Sequence, residues 1–137
     1  MDAKRIALGT VAYTAVTFPI AVLWHVGLFK DLYQSFGYFS GEPSFIAGLL
    51  AILVQGAILS GLYPLVRLSG RHTARGLKYS AIVGSFFWTS HVLAFVAKQA
   101  PNHVPLFIAM ETGYLAVQFG VYGVLIGWIY RDLSNEA

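Results

Sequence analysis

Four stretches of this chain, residues 6–29, 44–66, 77–97 and 105–130, are apolar and almost free of charge. Each reaches the roughly 20 residues that a helix needs to cross a hydrocarbon core about 30 Å thick. The chain is 57% hydrophobic and 11% charged, less than half the charged share of about a quarter found in soluble domains. With 137 residues, a soluble core is too small to take up that apolar surface, so lipid must be the solvent. The backbone of a lipid-exposed span has to satisfy its own hydrogen bonds, which helices do. The expected fold is therefore all-α, a polytopic membrane four-helix bundle forming a single domain.

The connecting segments set the topology. Lys4, Arg5, Arg67, Arg71, Arg75, Lys78 and Arg131 fall on one side of the four spans, against Lys30 and Lys98 on the other. Basic residues in short loops mark the cytoplasmic side, so both termini are expected there. The same bias gives the basic loop no need of a further role in binding anionic lipid. The first span is too long for a secretory signal and lacks a small-residue cleavage site after it. Pro19 inside it predicts a kink rather than a break. Between Lys30 and Pro43 lie Tyr33, Phe36, Tyr38 and Phe39, read as an interfacial belt on a short surface helix that anchors and binds nothing. A net charge of +3 with no basic cluster suited to a duplex argues against a nucleic-acid partner, and the absence of cysteine removes disulfides and thiolate metal sites.

A weak internal echo runs through the spans. His25-Val26-Gly27-Leu28-Phe29-Lys30 in the first parallels His91-Val92-Leu93-Ala94-Phe95-Val96-Ala97-Lys98 in the third, and Val54-Gln55-Gly56 in the second parallels Val117-Gln118-Phe119-Gly120 in the fourth. Both odd-numbered spans run in one direction. The pattern predicts tandem duplication of a two-helix unit about an axis along the membrane normal.

Ionisable groups deep in such spans are costly and have a partner or a task. At about 1.5 Å of rise per residue, His25 lies roughly 7–8 Å inward of Lys30, His91 roughly 10 Å inward of Lys98, and Glu111 roughly 9 Å below Pro105. Three ionisable side chains on three helices thus share one level in the outer leaflet. Small and polar stripes mark inward faces in membrane bundles. Such stripes are Thr10, Thr14, Thr17, Ala21 and His25 on the first span, Gly48, Ala51 and Gln55 on the second, Ser80, Gly84, Phe87 and His91 on the third, and Glu111, Tyr114, Gln118 and Tyr122 on the fourth. Gln55 and Gln118 are then expected near mid-membrane, below a His–His–Glu level.

Three kinds of chemistry fit that level. The first is a buried hydrogen-bonded network that sets helix register. The second is a site for a proton, ion or small polar ligand, since imidazole titrates near neutral pH, with Gln55 and Gln118 extending a polar path inward for carriage. The third is a metal site, because two imidazoles and a carboxylate suit a transition metal, or a b-type haem held by His25 and His91 in a slot lined by Trp24, Phe87, Trp88 and Tyr114. No ligand pair at helical spacing strengthens the metal reading. Phosphate loops, nucleophile elbows and paired carboxylates are absent, which argues against an enzyme. Gly123 and Gly127 form a GxxxG motif suited to close helix contact, within the bundle or in a homodimer. His72 and His103 fall in loops and are expected to be solvated.

The run Trp24-His25 through Phe29-Lys30-Asp31-Leu32-Tyr33, with Gln55-Gly56, Leu62-Tyr63-Pro64 and Ser90-His91, resembles a group of small bacterial four-span membrane proteins known only as a domain of unknown function. The resemblance implies a four-helix fold in a bacterial cytoplasmic membrane and supplies no activity. Small multidrug exporters, by contrast, carry a glutamate in their first span, where this chain has none, and mercury carriers need cysteine. The expected function is binding, with carriage as its extension, of a small polar ligand, proton or metal ion by His25, His91 and Glu111. The alternatives are a haem or metal redox subunit and a structural subunit of a larger membrane complex.

Overall fold

The computed structural model describes residues 2–39 and 41–132, and among these residues every regular element is helical. Helix α1 (Ala3–Val22) runs on through a π-helical turn, Leu23–Leu28. A short α2 (Lys30–Ser35) follows, then α3 (Phe45–Leu62) with a 3₁₀ turn at Tyr63–Leu65. Helix α4 (His72–Trp88) passes through a second π-turn, Thr89–Leu93, into α5 (Ala94–Gln99), and α6 (Val104–Ile129) completes the order. Four continuous helices are long and apolar enough to cross a membrane: Ala3–Leu28, Phe45–Leu65, His72–Gln99 and Val104–Ile129.

Local chemistry fixes the helix ends. The Asp2 carboxylate accepts from the Lys4 and Arg5 backbone N–H groups at 3.0 and 3.3 Å, so α1 starts three residues before the expected Ile6. Ser44 caps α3 in the same way through the Ala47 N–H. Pro105 sits in the first turn of α6, where a missing N–H leaves nothing unpaired. Helix α4 begins at His72, five residues before the expected Leu77. Its cations do not stop it, because their long stems carry the charged heads to the helix end: Lys78 Nζ donates to Ser69 O at 3.0 Å and Arg75 to Tyr130 O at 3.3 Å. His72, expected in a loop, is half-buried with its ring 4.8 Å from that of Trp128.

Two antiparallel pairs, α1 with α3 and α4 with α6, join where α1 meets α6. Helix α6 is central: ten of its 26 residues are buried, against three in each of α1, α3 and α4. Glycines bring the pairs together at the end that carries the termini. A Cβ on Gly56 would lie 3.2 Å from the Thr10 carbonyl oxygen, and one on Gly76 would collide with Gly123 O and come within 2.8 Å of Gly127 N. Gly127 in turn faces the His72 carbonyl. The GxxxG surface is therefore occupied by α4 of the same chain, the contact within the bundle considered from sequence. Tyrosines fill the seam, with Tyr79 and Tyr130 donating to Leu59 O and Ser60 O at 2.6 and 2.9 Å. Arg5 pairs with Asp132 at 3.0 Å and ties the two chain ends together.

At the other end α3 splays away. Gly48 and Ala51, expected to face inward, are exposed, and among the described residues nothing lies within 4 Å of where a Gly48 side chain would begin. The inward face of α3 is instead Gly56, Leu59 and Ser60, continued by Tyr63. A small-residue stripe indicates a face that tolerates close approach but does not supply the neighbour. Elsewhere the exposed surface is apolar, with Ile46, Leu65 and Phe86 all more than half exposed, as lipid-facing helices require.

Candidate metal centre

The end of the bundle from which α3 withdraws is filled by the α2 segment, and here the three ionisable side chains meet. Glu111, on the central helix, is completely buried. Its Oε1 lies 2.9 Å from His25 Nε2 on α1, and its Oε2 lies 2.6 Å from His91 Nε2 on the α4–α5 helix. The three ligand-type atoms fall within 4.8 Å of one another. His25 is buried, while the His91 side chain is 37% exposed and forms the open side of the cluster.

Each histidine is the third residue of its π-turn, Leu23–Leu28 or Thr89–Leu93. A π-turn widens the helix by one residue and is often found at functional sites. In the first turn the ladder changes register, with Phe29 N donating to Trp24 O at 3.1 Å. Ala21 O, four residues before His25, lies 3.0 Å from its Nδ1. A carbonyl oxygen only accepts, so Nδ1 carries a proton and donates. The neutral ring then has its lone pair on Nε2, facing a carboxylate oxygen at hydrogen-bond distance. Two acceptors in that position need a proton or a cation between them.

The α2 segment supplies what the sequence did not reveal. Tyr33 and Phe36, expected as surface anchors, are 0% and 1% exposed. Tyr33 donates its hydroxyl to Glu111 Oε1 and accepts from Trp24 Nε1 at 3.0 Å. Burial, reinforced by the neighbouring Glu111, pushes the Tyr33 phenol well above its ordinary range, so without an ion at the cluster it is protonated and donates. Tyr38 stacks on His25 with ring centroids 5.5 Å apart, and Tyr114 meets the same ring edge-on at 4.6 Å. Asn102 fastens the segment from the α5–α6 turn, its backbone N–H reaching Phe36 O at 3.0 Å and its amide Ser35 O at 3.1 Å. The signal was available only in part. Four aromatic rings in ten residues mark a packing surface, but nothing in their spacing shows that the loop folds back over the helix ends.

The remaining candidates separate into two groups. Trp24 and Tyr114 belong to the cluster. Trp88 does not: its indole N–H donates to Thr112 Oγ1 at 2.9 Å beside a groove of about 490 Å³ between α4 and α6. Gln55 and Gln118 sit deeper and are joined through one hydroxyl. Gln118 Nε2 donates to Tyr13 OH at 2.9 Å, and Tyr13 OH donates to Gln55 Oε1 at 3.2 Å. Below them Tyr122 packs edge-on against Tyr13 at 4.9 Å. No protein-family model matches this sequence, and no curated protein or solved structure matches it either.

Proposed function

We propose that this is an integral membrane protein whose His25, His91 and Glu111 bind a single transition-metal ion from the outer face of the membrane. The observation that carries this is the hydrogen bond from His25 Nδ1 to Ala21 O. A backbone carbonyl holding one imidazole nitrogen commits the other as a ligand, the usual orienting arrangement around bound metals. Two imidazoles and one carboxylate are the protein donors of many zinc sites with an open fourth position. Without metal, the protons between the imidazoles and Glu111 offset the buried carboxylate, and the ion takes their place.

The basic residues near Arg5, Arg75 and Arg131 support cytoplasmic termini in a bacterial cytoplasmic membrane, which puts the cluster on the outer side. The two histidines, third in two matching π-turns, support a duplicated two-helix unit in which they are equivalent. Binding is favoured over carriage. The Tyr13 hydroxyl accepts from Gln118 and donates to Gln55, and these flanking amides do not titrate, which supports binding without an inward proton relay. A haem bridging His25 and His91 is disfavoured, because the Glu111 carboxylate lies between both Nε2 atoms.

Calorimetric titration of chelator-stripped protein in detergent tests the proposal. Zinc is expected to bind with a stoichiometry of one, and His91→Ala is expected to weaken the binding while leaving the helical signal intact. Wild-type protein that takes up no zinc, cobalt or copper would remove the metal function.

A further inference from the structure

Resting on the metal reading above, we infer that Tyr33 is the fourth ligand, so that the site is an N₂O₂ donor set whose two negative charges neutralise a divalent first-row transition ion. The geometry comes first. Tyr33 OH and His25 Nε2 converge on the same carboxylate oxygen, Glu111 Oε1, and His91 Nε2 closes from Oε2. An ion that replaces the protons at this carboxylate meets the phenol oxygen in the same step. The phenol is also held in place: its ring is completely buried, it lies edge-on to His25 with centroids 4.5 Å apart, and Trp24 Nε1 donates to its oxygen at 3.0 Å. That donor remains satisfied when the oxygen turns to a cation, because a phenolate accepts from Trp24 through another lone pair.

Charge makes the same demand. Two neutral imidazoles, Glu111 and a divalent ion leave one uncompensated positive charge in a buried site, which is costly. The other acidic side chains of this end, Asp31 on α2 and Glu42 on the loop after it, are exposed. Among the phenols packed around the cluster, Tyr33 puts its hydroxyl on Glu111. In the ligation step the Tyr33 O–H bond breaks, an oxygen–metal bond forms and the proton leaves to water; no electrons change hands. The opposing possibility is a water or hydroxide in the fourth position, with Tyr33 remaining a hydrogen-bond donor to Glu111.

Copper(II) separates the two, because phenolate bound to it gives a visible charge-transfer band and enhanced tyrosine ring modes in resonance Raman, while imidazole, carboxylate and water do not. The full chain in detergent, stripped and loaded with one equivalent of Cu²⁺, is expected to show that band. Tyr33→Phe is expected to lose it and to weaken copper binding at least tenfold, while Tyr38→Phe keeps it. Ring-deuterated tyrosine in the wild-type protein is expected to shift the enhanced modes, which tests the assignment without any variant. Stoichiometric binding with no such band, or a band that survives Tyr33→Phe, would overturn the ligation and leave the His–His–Glu site standing. A wild-type protein that binds no metal would overturn both.

Discussion

Glu111→Gln is expected to keep the four-helix fold and to weaken zinc binding by more than about a hundredfold, beyond the ~10–100-fold typical of losing a ligand's hydrogen-bond partner. Glutamine has the size of glutamate, so no cavity opens on the central helix. It replaces one carboxylate oxygen by an NH₂ group, however, and removes the anion that faces His25 and His91 at 2.9 and 2.6 Å. With NH₂ in place of Oε1 the Tyr33 hydroxyl loses its acceptor, and with NH₂ in place of Oε2 the lone pair of neutral His25 still faces an oxygen, so one partner is left unpaired at a cost of about 1–3 kcal/mol. The two effects are separable by a competition titration for zinc and a thermal melt of the metal-free protein. A cluster that serves only to set helix register predicts the melt shift with no zinc binding to lose.

Gly76→Ala is expected to destabilise the protein by about 3 kcal/mol, at or above the upper end of ordinary overpacking. The added carbon meets backbone rather than the tip of a side chain: Gly123 O, with Gly127 N and Cα at 2.8 and 2.9 Å. Backbone atoms yield only if α4 and α6 separate. These same two helices carry His91 and Glu111 toward their other ends, so prying them apart also disturbs the cluster. Gly48→Ala is the matched control, because among the described residues nothing lies within 4 Å of that position, and its effect is expected to stay within about 0.5 kcal/mol. Denaturation in mixed micelles compares the two directly. Equal stabilities would mean that the α4–α6 contact is not as close as described.

How much of this was legible in the sequence depends on which features follow a rigid period. Helix rise is nearly invariant, so counting residues from each helix end placed His25, His91 and Glu111 at one level, and they do meet there. The stripe on α6 was equally legible: Glu111, Tyr114, Gln118 and Tyr122 are all buried. The stripe on α3 was not, because small residues permit close packing without specifying a partner, and Gly48 and Ala51 are exposed. The π-turns left no trace beyond the histidine echo itself, since no residue type demands them. Tyr33 was missed for a different reason. It lies in a segment whose path is set by long-range contacts, with Trp24 on one side and Asn102 latching the other, and a sequence period carries no information about such a return. Helix ends at Ala3 and His72 were displaced by capping and by long basic side chains, both of which hydropathy alone overlooks.

The central claim is that Glu111 and the two histidines ligate one ion together. X-ray absorption at the zinc edge of the loaded, detergent-solubilised protein tests it most directly. A first shell of nitrogen and oxygen at about 2.0–2.1 Å is expected, with outer-shell scattering from two imidazole rings that drops to one ring in His91→Ala. A first shell of oxygen alone, or two-ring scattering unchanged by His91→Ala, would contradict it.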